Sequence, residues 1–186
     1  MKAITTWQPW ASLIATENKH YETRGWKTNY RGPIAIHAAM REIIQTMRAL
    51  PVETQKFVFE CIYDYYHIRD GAIKKMPTGA IVATAEVVDC IKITPEFVAT
   101  LSQKEQIFGD YTLGRYAWKL ENVKLLPEPI PVKGKQGLWT FEAGCGTCRY
   151  NTNDIVAHPH CSGCDGISKY KQCPAKEENH ESAQDH

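Results

Sequence analysis

Short runs of strand-forming residues, some of them alternating between apolar and polar, recur along the first 140 positions. Side chains on a strand point to opposite faces in turn, so such runs predict strands with one buried face. Lys2–Thr6 is the first. Tyr21–Trp26 is the second, and Ile34–Ala39 the third, with Ile34 and Ile36 on one face and Ala35 and His37 on the other. Ala80–Ile93 is the longest and is rich in Val, Ile and Thr, which suit a pleated surface. Arg115–Leu126 follows, then a stiff connector at Pro127–Pro131 and a last short strand at Leu138–Phe141.

Helical spacing appears in fewer places. Trp10, Leu13 and Ile14 predict a helix that opens near Thr6 or Gln8, carries Pro9 in its first turn and ends near Asn18. Arg41–Arg69 reads as a helical insertion interrupted at Pro51. Thr94 and Pro95 read as the cap and first residue of another short helix. Strands with such varied connections predict an α+β, β-rich fold: a small, mostly antiparallel β-barrel with flanking helices.

Composition bounds this picture without redirecting it. The chain has 186 residues and a formal net charge of +1. That charge is too small to make the whole surface a trap for phosphates, so nucleic-acid binding needs a local groove. No run of 18 apolar residues exists, and the first residues lack the apolar stretch of a signal peptide. The expectation is a cytoplasmic protein with no membrane partner. Five of seven cysteines fall in the last 42 residues, a clustering that suits metal ligands in a reducing compartment.

Three groups of residues carry candidate chemistry. Lys19 sits in the turn after the first helix, while Glu22 and Arg24 share one face of a strand. Together they suit either a polar ligand site with proton-transfer capacity or a surface ion pair. Trp7, Gln8 and Trp10 begin the first helix; a tryptophan there suits base stacking or the core, and Gln8 suits a base edge. The loop Lys133–Gly137 combines two lysines with two glycines, which suits close approach to a ligand or an ordinary hairpin turn, with Lys135 and Gln136 as ligand candidates. His37 faces either the pocket or solvent.

These residues resemble a family. Thr6–Trp10, the spacing of Lys19, Glu22 and Arg24, Tyr30–Ala39, Gly79–Asp89, Gly114–Leu120 and Gly134–Trp139 are similar to an ASCH domain, named for homology to the activating signal cointegrator. The resemblance covers roughly residues 1–142. It implies a PUA-like barrel that binds RNA or a modified nucleoside or nucleotide, and no organic cofactor is expected. The family signature is Gly-x-Lys-x-x-Glu-x-Arg. Here Glu17 replaces the glycine and crowds another carboxylate toward the site. Some relatives hydrolyse an acylated cytidine with a lysine, a threonine three residues later and a glutamate on a later strand. Lys19 matches that lysine and Glu86 that glutamate, which makes Lys19, Glu22 and Glu86 the catalytic candidates if the chain is a hydrolase. Glu22 stands at the threonine position, and a carboxylate cannot act as a hydroxyl nucleophile. Other relatives are described as ribonucleases, and Lys19, Glu22 and Arg24 suit that chemistry as well.

The tail, 143–174, lies beyond the resemblance. Cys145 and Cys148, then Cys161 and Cys164, form two CxxC pairs separated by twelve residues. Four thiolates at this spacing predict one structural zinc ion in a short zinc-knuckle-like module, with an iron site or a redox dithiol as the alternatives. Such a module suits stability or contact with a protein partner, which leaves an adaptor as the third functional reading. Residues 175–186 are polar and predict a disordered end.

Overall fold

A computed structural model describes residues 1–66 and 76–142. The chain divides into a unit Met1–Phe141 and a second unit Glu142–His186. In the first unit the elements run β1 (Lys2–Thr6), α1 (Trp10–Ala15), β2 (Tyr21–Arg24), β3 (Gly32–Ala38), α2 (Ile43–Arg48), α3 (Val52–Tyr66), β4 (Ala80–Lys92), α4 (Pro95–Thr100), α5 (Gln103–Ile107), β5 (Tyr116–Pro131) and β6 (Leu138–Thr140).

The six strands form one sheet in the order β2-β5-β4-β3-β1-β6. Four strand spacings separate β2 from β1 in that order, about 19 Å in a flat sheet. Yet Nη2 of Arg24, on β2, donates to the carbonyl of Thr5, on β1, over 2.6 Å. The sheet therefore curls into a half-barrel. That matches the expected β-rich barrel with flanking helices, except that β1 and β3 pair in parallel. The chain crosses between them through α1 and β2, a route that returns it in the same direction.

Packing explains where the helices lie. Ile4, Ile34, Ile36, Val87, Trp118 and Leu120 fill the concave side of the sheet together with Ala11 and Ile14 of α1. Leu13 points the other way, into a second cluster with Ile43, Met47, Val58, Ile62 and Phe108. Every residue of α1 after Trp10 is buried, because the sheet covers one side and the insertion helices cover the other.

Several boundaries differ from the sequence expectation. The first helix begins at Trp10 with Pro9 as its cap residue, and it ends at Ala15. β2 stops at Arg24. Pro127–Pro131 belongs to β5 rather than to a connector: Ile130 and Pro131 pair with Ile81 and Ala80. Only residues 116–119 of β5 pair with β2. Beyond them that edge pairs with no other strand among the described residues, so a proline there removes no ladder hydrogen bond. Thr94 does cap α4, its hydroxyl accepting from the Phe97 amide. The helix α5 was not expected from sequence.

Candidate functional site

The site begins at the turn after α1. Glu17 takes a left-handed conformation, φ 56°. The amides of Asn18 and Lys19 both donate to the carbonyl of Leu13, over 2.8 and 3.0 Å. This geometry is the usual place for glycine at a helix end, which gives the family glycine a physical role. The Glu17 side chain is exposed and makes no hydrogen bond or ion pair among the described residues, so it does not crowd the site as expected.

The turn sends Lys19 inward, and the residue is 1% exposed. Its Nζ lies 3.7 Å from Oε1 of Glu105 and has no hydrogen-bond partner among the described residues. The ammonium also sits 5.7 Å from the centre of the Tyr111 ring. Burial pushes the Lys19 pKa down, and the charges of Glu22 and Glu105 partly oppose that shift.

Glu105 is the residue that sequence reasoning missed. It comes from α5, and its carboxylate accepts from the amides of His20 (2.9 Å) and Tyr21 (3.3 Å) and from the Tyr111 hydroxyl (2.8 Å). Burial and the Glu105 charge hold the Tyr111 hydroxyl far above its ordinary range, so it remains a donor. A local signal existed in Ser102-x-x-Glu105, the spacing of a helix capping box. Ser102 does cap α5 by accepting from the Glu105 amide over 3.1 Å. The glutamate carboxylate turns inward instead of back toward Ser102.

Glu22 and Arg24 face the same way, as their spacing predicts, and Glu22 Oε1 lies 2.8 Å from Arg24 Nη2. This is not a surface pair, since the Glu22 side chain is buried and Arg24 is mostly so. Nη2 of Arg24 also reaches the Thr6 hydroxyl over 3.3 Å, and its Nε is buried without a partner among the described residues.

Two clefts open on these residues. One, of about 480 Å³, is lined by Lys19, Glu22 and Arg24 with Trp10, Asp110 and Arg115. The other, of about 1010 Å³, is lined by His37, Lys133, Lys135 and Gln136 among others. Thr5, Trp7 and Arg24 line both and form their common wall. Trp7 is 51% exposed there, and the Arg41 guanidinium stacks over its ring at 3.8 Å. His37 is buried, with Nε2 3.0 Å from the Val132 carbonyl. Burial lowers its pKa, with Val132 opposing.

Two expected site residues lie elsewhere. Gln8 lines neither cleft: its amide donates to the Pro77 carbonyl over 2.7 Å and accepts from the Ser12 amide over 3.1 Å. It ties the start of α1 to the chain before β4 instead of offering a base edge. Glu86 lies between the core residues Ala85 and Val87, so its side chain points outward, where Asn122 donates to it over 2.8 Å. Lys19, Glu22 and Glu86 are therefore not assembled. Glu105 stands beside Lys19 instead.

No cluster of three or more His, Cys, Asp or Glu residues suited to a metal occurs among the described residues. The expected zinc ligands Cys145, Cys148, Cys161 and Cys164 lie outside them. No helix among the described residues is long and apolar enough to cross a membrane.

The family model for the ASCH domain matches residues 4–131. This chain belongs to the ASCH domain family. The match takes in β2 to β5, β1 from Ile4 onward, and every cleft residue before Val132. Among curated proteins, none matches the chain. Among solved structures, the chain is similar to a single-residue mutant of the ZmASCH protein from Zymomonas mobilis. That likeness is 14% in sequence, covers 76% of this chain and 89% of the other, and has a TM-score of 0.44. In this ASCH domain the signature residues Lys19, Glu22 and Arg24 converge on one wall, with Glu105 completing the buried charge cluster.

Proposed function

We propose that this ASCH domain binds RNA or a modified nucleoside or nucleotide where Lys19, Glu22 and Arg24 meet. One observation carries the reading: Lys19 is buried beside a cleft, and its Nζ makes no hydrogen bond among the described residues, the Glu105 carboxylate standing 3.7 Å away. Burying such a donor is costly unless something in the protein or in a ligand accepts from it. A donor at Lys19 and an acceptor at Glu22 suit a nucleobase edge or a sugar hydroxyl. Exposed Trp7 on the common wall suits stacking against a base.

The binding test is titration of the full chain with single-stranded RNA oligomers and a panel of nucleosides, read by tryptophan fluorescence and calorimetry. Saturable binding that Lys19→Gln weakens at least about tenfold is expected; a tenfold loss is about 1.4 kcal/mol. Absence of binding to every member of both panels would sink the reading.

The lowered pKa of Lys19 favours a second reading, hydrolysis of the bound ligand. An amine that loses its proton more readily than free lysine is a better general base at neutral pH. The acid–base set would be Lys19, Glu22 and Glu105, with Glu86 left out. Chromatography of incubated RNA and acylated nucleosides decides it: turnover that disappears in Lys19→Gln supports hydrolysis, and intact ligand at saturation excludes it for that ligand.

A further inference from the structure

The two clefts share a wall but differ in charge. The smaller sets Lys19, Arg24 and Arg115 against Glu22 and Asp110. The larger has Arg24, Lys133 and Lys135, and neither Asp nor Glu lines it. A mixed wall suits neutral polar groups, whereas a wall with cations alone suits an anion.

His37 does not change that sign. The Val132 carbonyl can only accept, so Nε2 carries the ring proton, and the neutral ring presents Nδ1 as a bare acceptor. That acceptor is buried beneath Gly134 and has no partner among the described residues. It therefore repels no anion at the surface and contributes no charge. Arg24 spends one end of its guanidinium on the fold: its hydrogen bonds and its ion pair all use Nη2. The loop that carries the lysines approaches without bulk, since Gly134 and Gly137 have no side chains and Gly137 takes φ 69°.

We propose that the larger cleft holds a phosphate through Lys133, Lys135 and Arg24 while the attached nucleoside occupies the Lys19–Glu22 cleft. The ligand is then a nucleotide or an RNA strand, and a free nucleoside lacks half of what the wall recognises. This inference rests on the binding reading above and narrows its ligand class.

The test compares the four ribonucleosides, their 5′- and 3′-monophosphates, a single-stranded RNA tetramer and inorganic phosphate, all at about 50 mM salt. The variants are K133A/K135A and K19Q. Phosphorylated ligands are expected to bind about tenfold tighter than the matching nucleosides. K133A/K135A removes most of that advantage and leaves nucleoside affinity unchanged. K19Q weakens both classes and preserves their ratio. Inorganic phosphate competes with nucleotides but not with nucleosides, which separates a nucleotide site from a general anion trap. Both lysines are exposed, so the double variant keeps its fold, and its melting temperature checks this. Equal affinity for nucleosides and their phosphates, or tetramer binding indifferent to K133A/K135A, overturns the phosphate site while the binding reading stands. Failure of all ligands to bind overturns both.

Discussion

Gly134 lies against the imidazole of His37 so closely that a methyl group on its Cα would stand 2.3 Å from Cε1 and 2.6 Å from Nδ1. The ring cannot retreat easily, because it is buried between Trp139 and the Val132 carbonyl. Gly134→Ala must instead lift the loop and break the Thr5 hydroxyl's bond to the Lys135 carbonyl, now 2.8 Å. The expected cost is about 1–3 kcal/mol in urea denaturation. If the clash is the cause, adding His37→Ala gives a double variant whose loss is smaller than the sum of the singles.

His37 also gives stability a pH dependence with a definite sign. Burial lowers its folded pKa below the ordinary value of 6.5, so the unfolded chain takes up the proton first as pH falls. The stability is intact above about 6.5 and declines as pH drops from there through the folded value. Urea midpoints measured between pH 8 and pH 5 should therefore fall more steeply for the wild type than for His37→Gln. Parallel curves would contradict this.

Glu105 holds together groups that no other described residue satisfies. Glu105→Ala strips an acceptor from two backbone amides and the Tyr111 hydroxyl, and leaves Lys19 without its nearest carboxylate. Breaking a buried ion pair in this way costs about 3–5 kcal/mol. Glu105→Gln keeps one acceptor oxygen and should cost less. Thermal and urea unfolding of both variants would show the ranking, and an alanine variant as stable as wild type would refute the role.

Glu17 sits in a conformation that glycine adopts with little strain. Glu17→Gly is expected to stabilise the fold by about 1 kcal/mol, since a left-handed backbone costs a residue with a Cβ about that much. The side chain is exposed, so the substitution removes no contact. Equilibrium denaturation is sufficient to check it, and a loss of stability would mean that Glu17 has a contact of its own.

The cysteine spacing of the tail carries a prediction of its own. Two CxxC pairs predict about one equivalent of zinc in protein purified without chelator, measured by elemental analysis. Cys145→Ser should lower that content, and a strong chelator should remove the metal. Less than about half an equivalent of zinc in the wild type would argue against the site, and iron in its place would favour the iron alternative.

Local chemistry made much of the fold legible. Richness in Val, Ile and Thr marked β4, Pro51 marked the break between α2 and α3, and Thr94-Pro95 marked the start of α4. The two-residue spacing of Glu22 and Arg24 foretold their shared face. What stayed hidden depended on distant partners. Pro127–Pro131 reads as a connector until the free edge of β5 is known. Parallel pairing of β1 with β3 follows from where the intervening chain packs. Glu86 matched a family position, but its burial pattern along β4 turns it away from Lys19. Glu105 lies far along the chain from Lys19, and only the folding of α5 over the turn after α1 joins them.

Arg24 has a wider consequence than its place in either cleft. The backbone ladder joins β2 only to β5 and leaves its outer edge unzipped. Across that gap, the guanidinium of Arg24 clasps β1 through the Thr5 carbonyl. The clasp is a side chain, so it can be shared, strained or released in a way that a ladder of amides cannot. A molecule that gripped Arg24 would also grip a fastening between β2 and β1. Loss of binding in an Arg24 variant would therefore report two injuries at once, a missing handhold and a loosened shell.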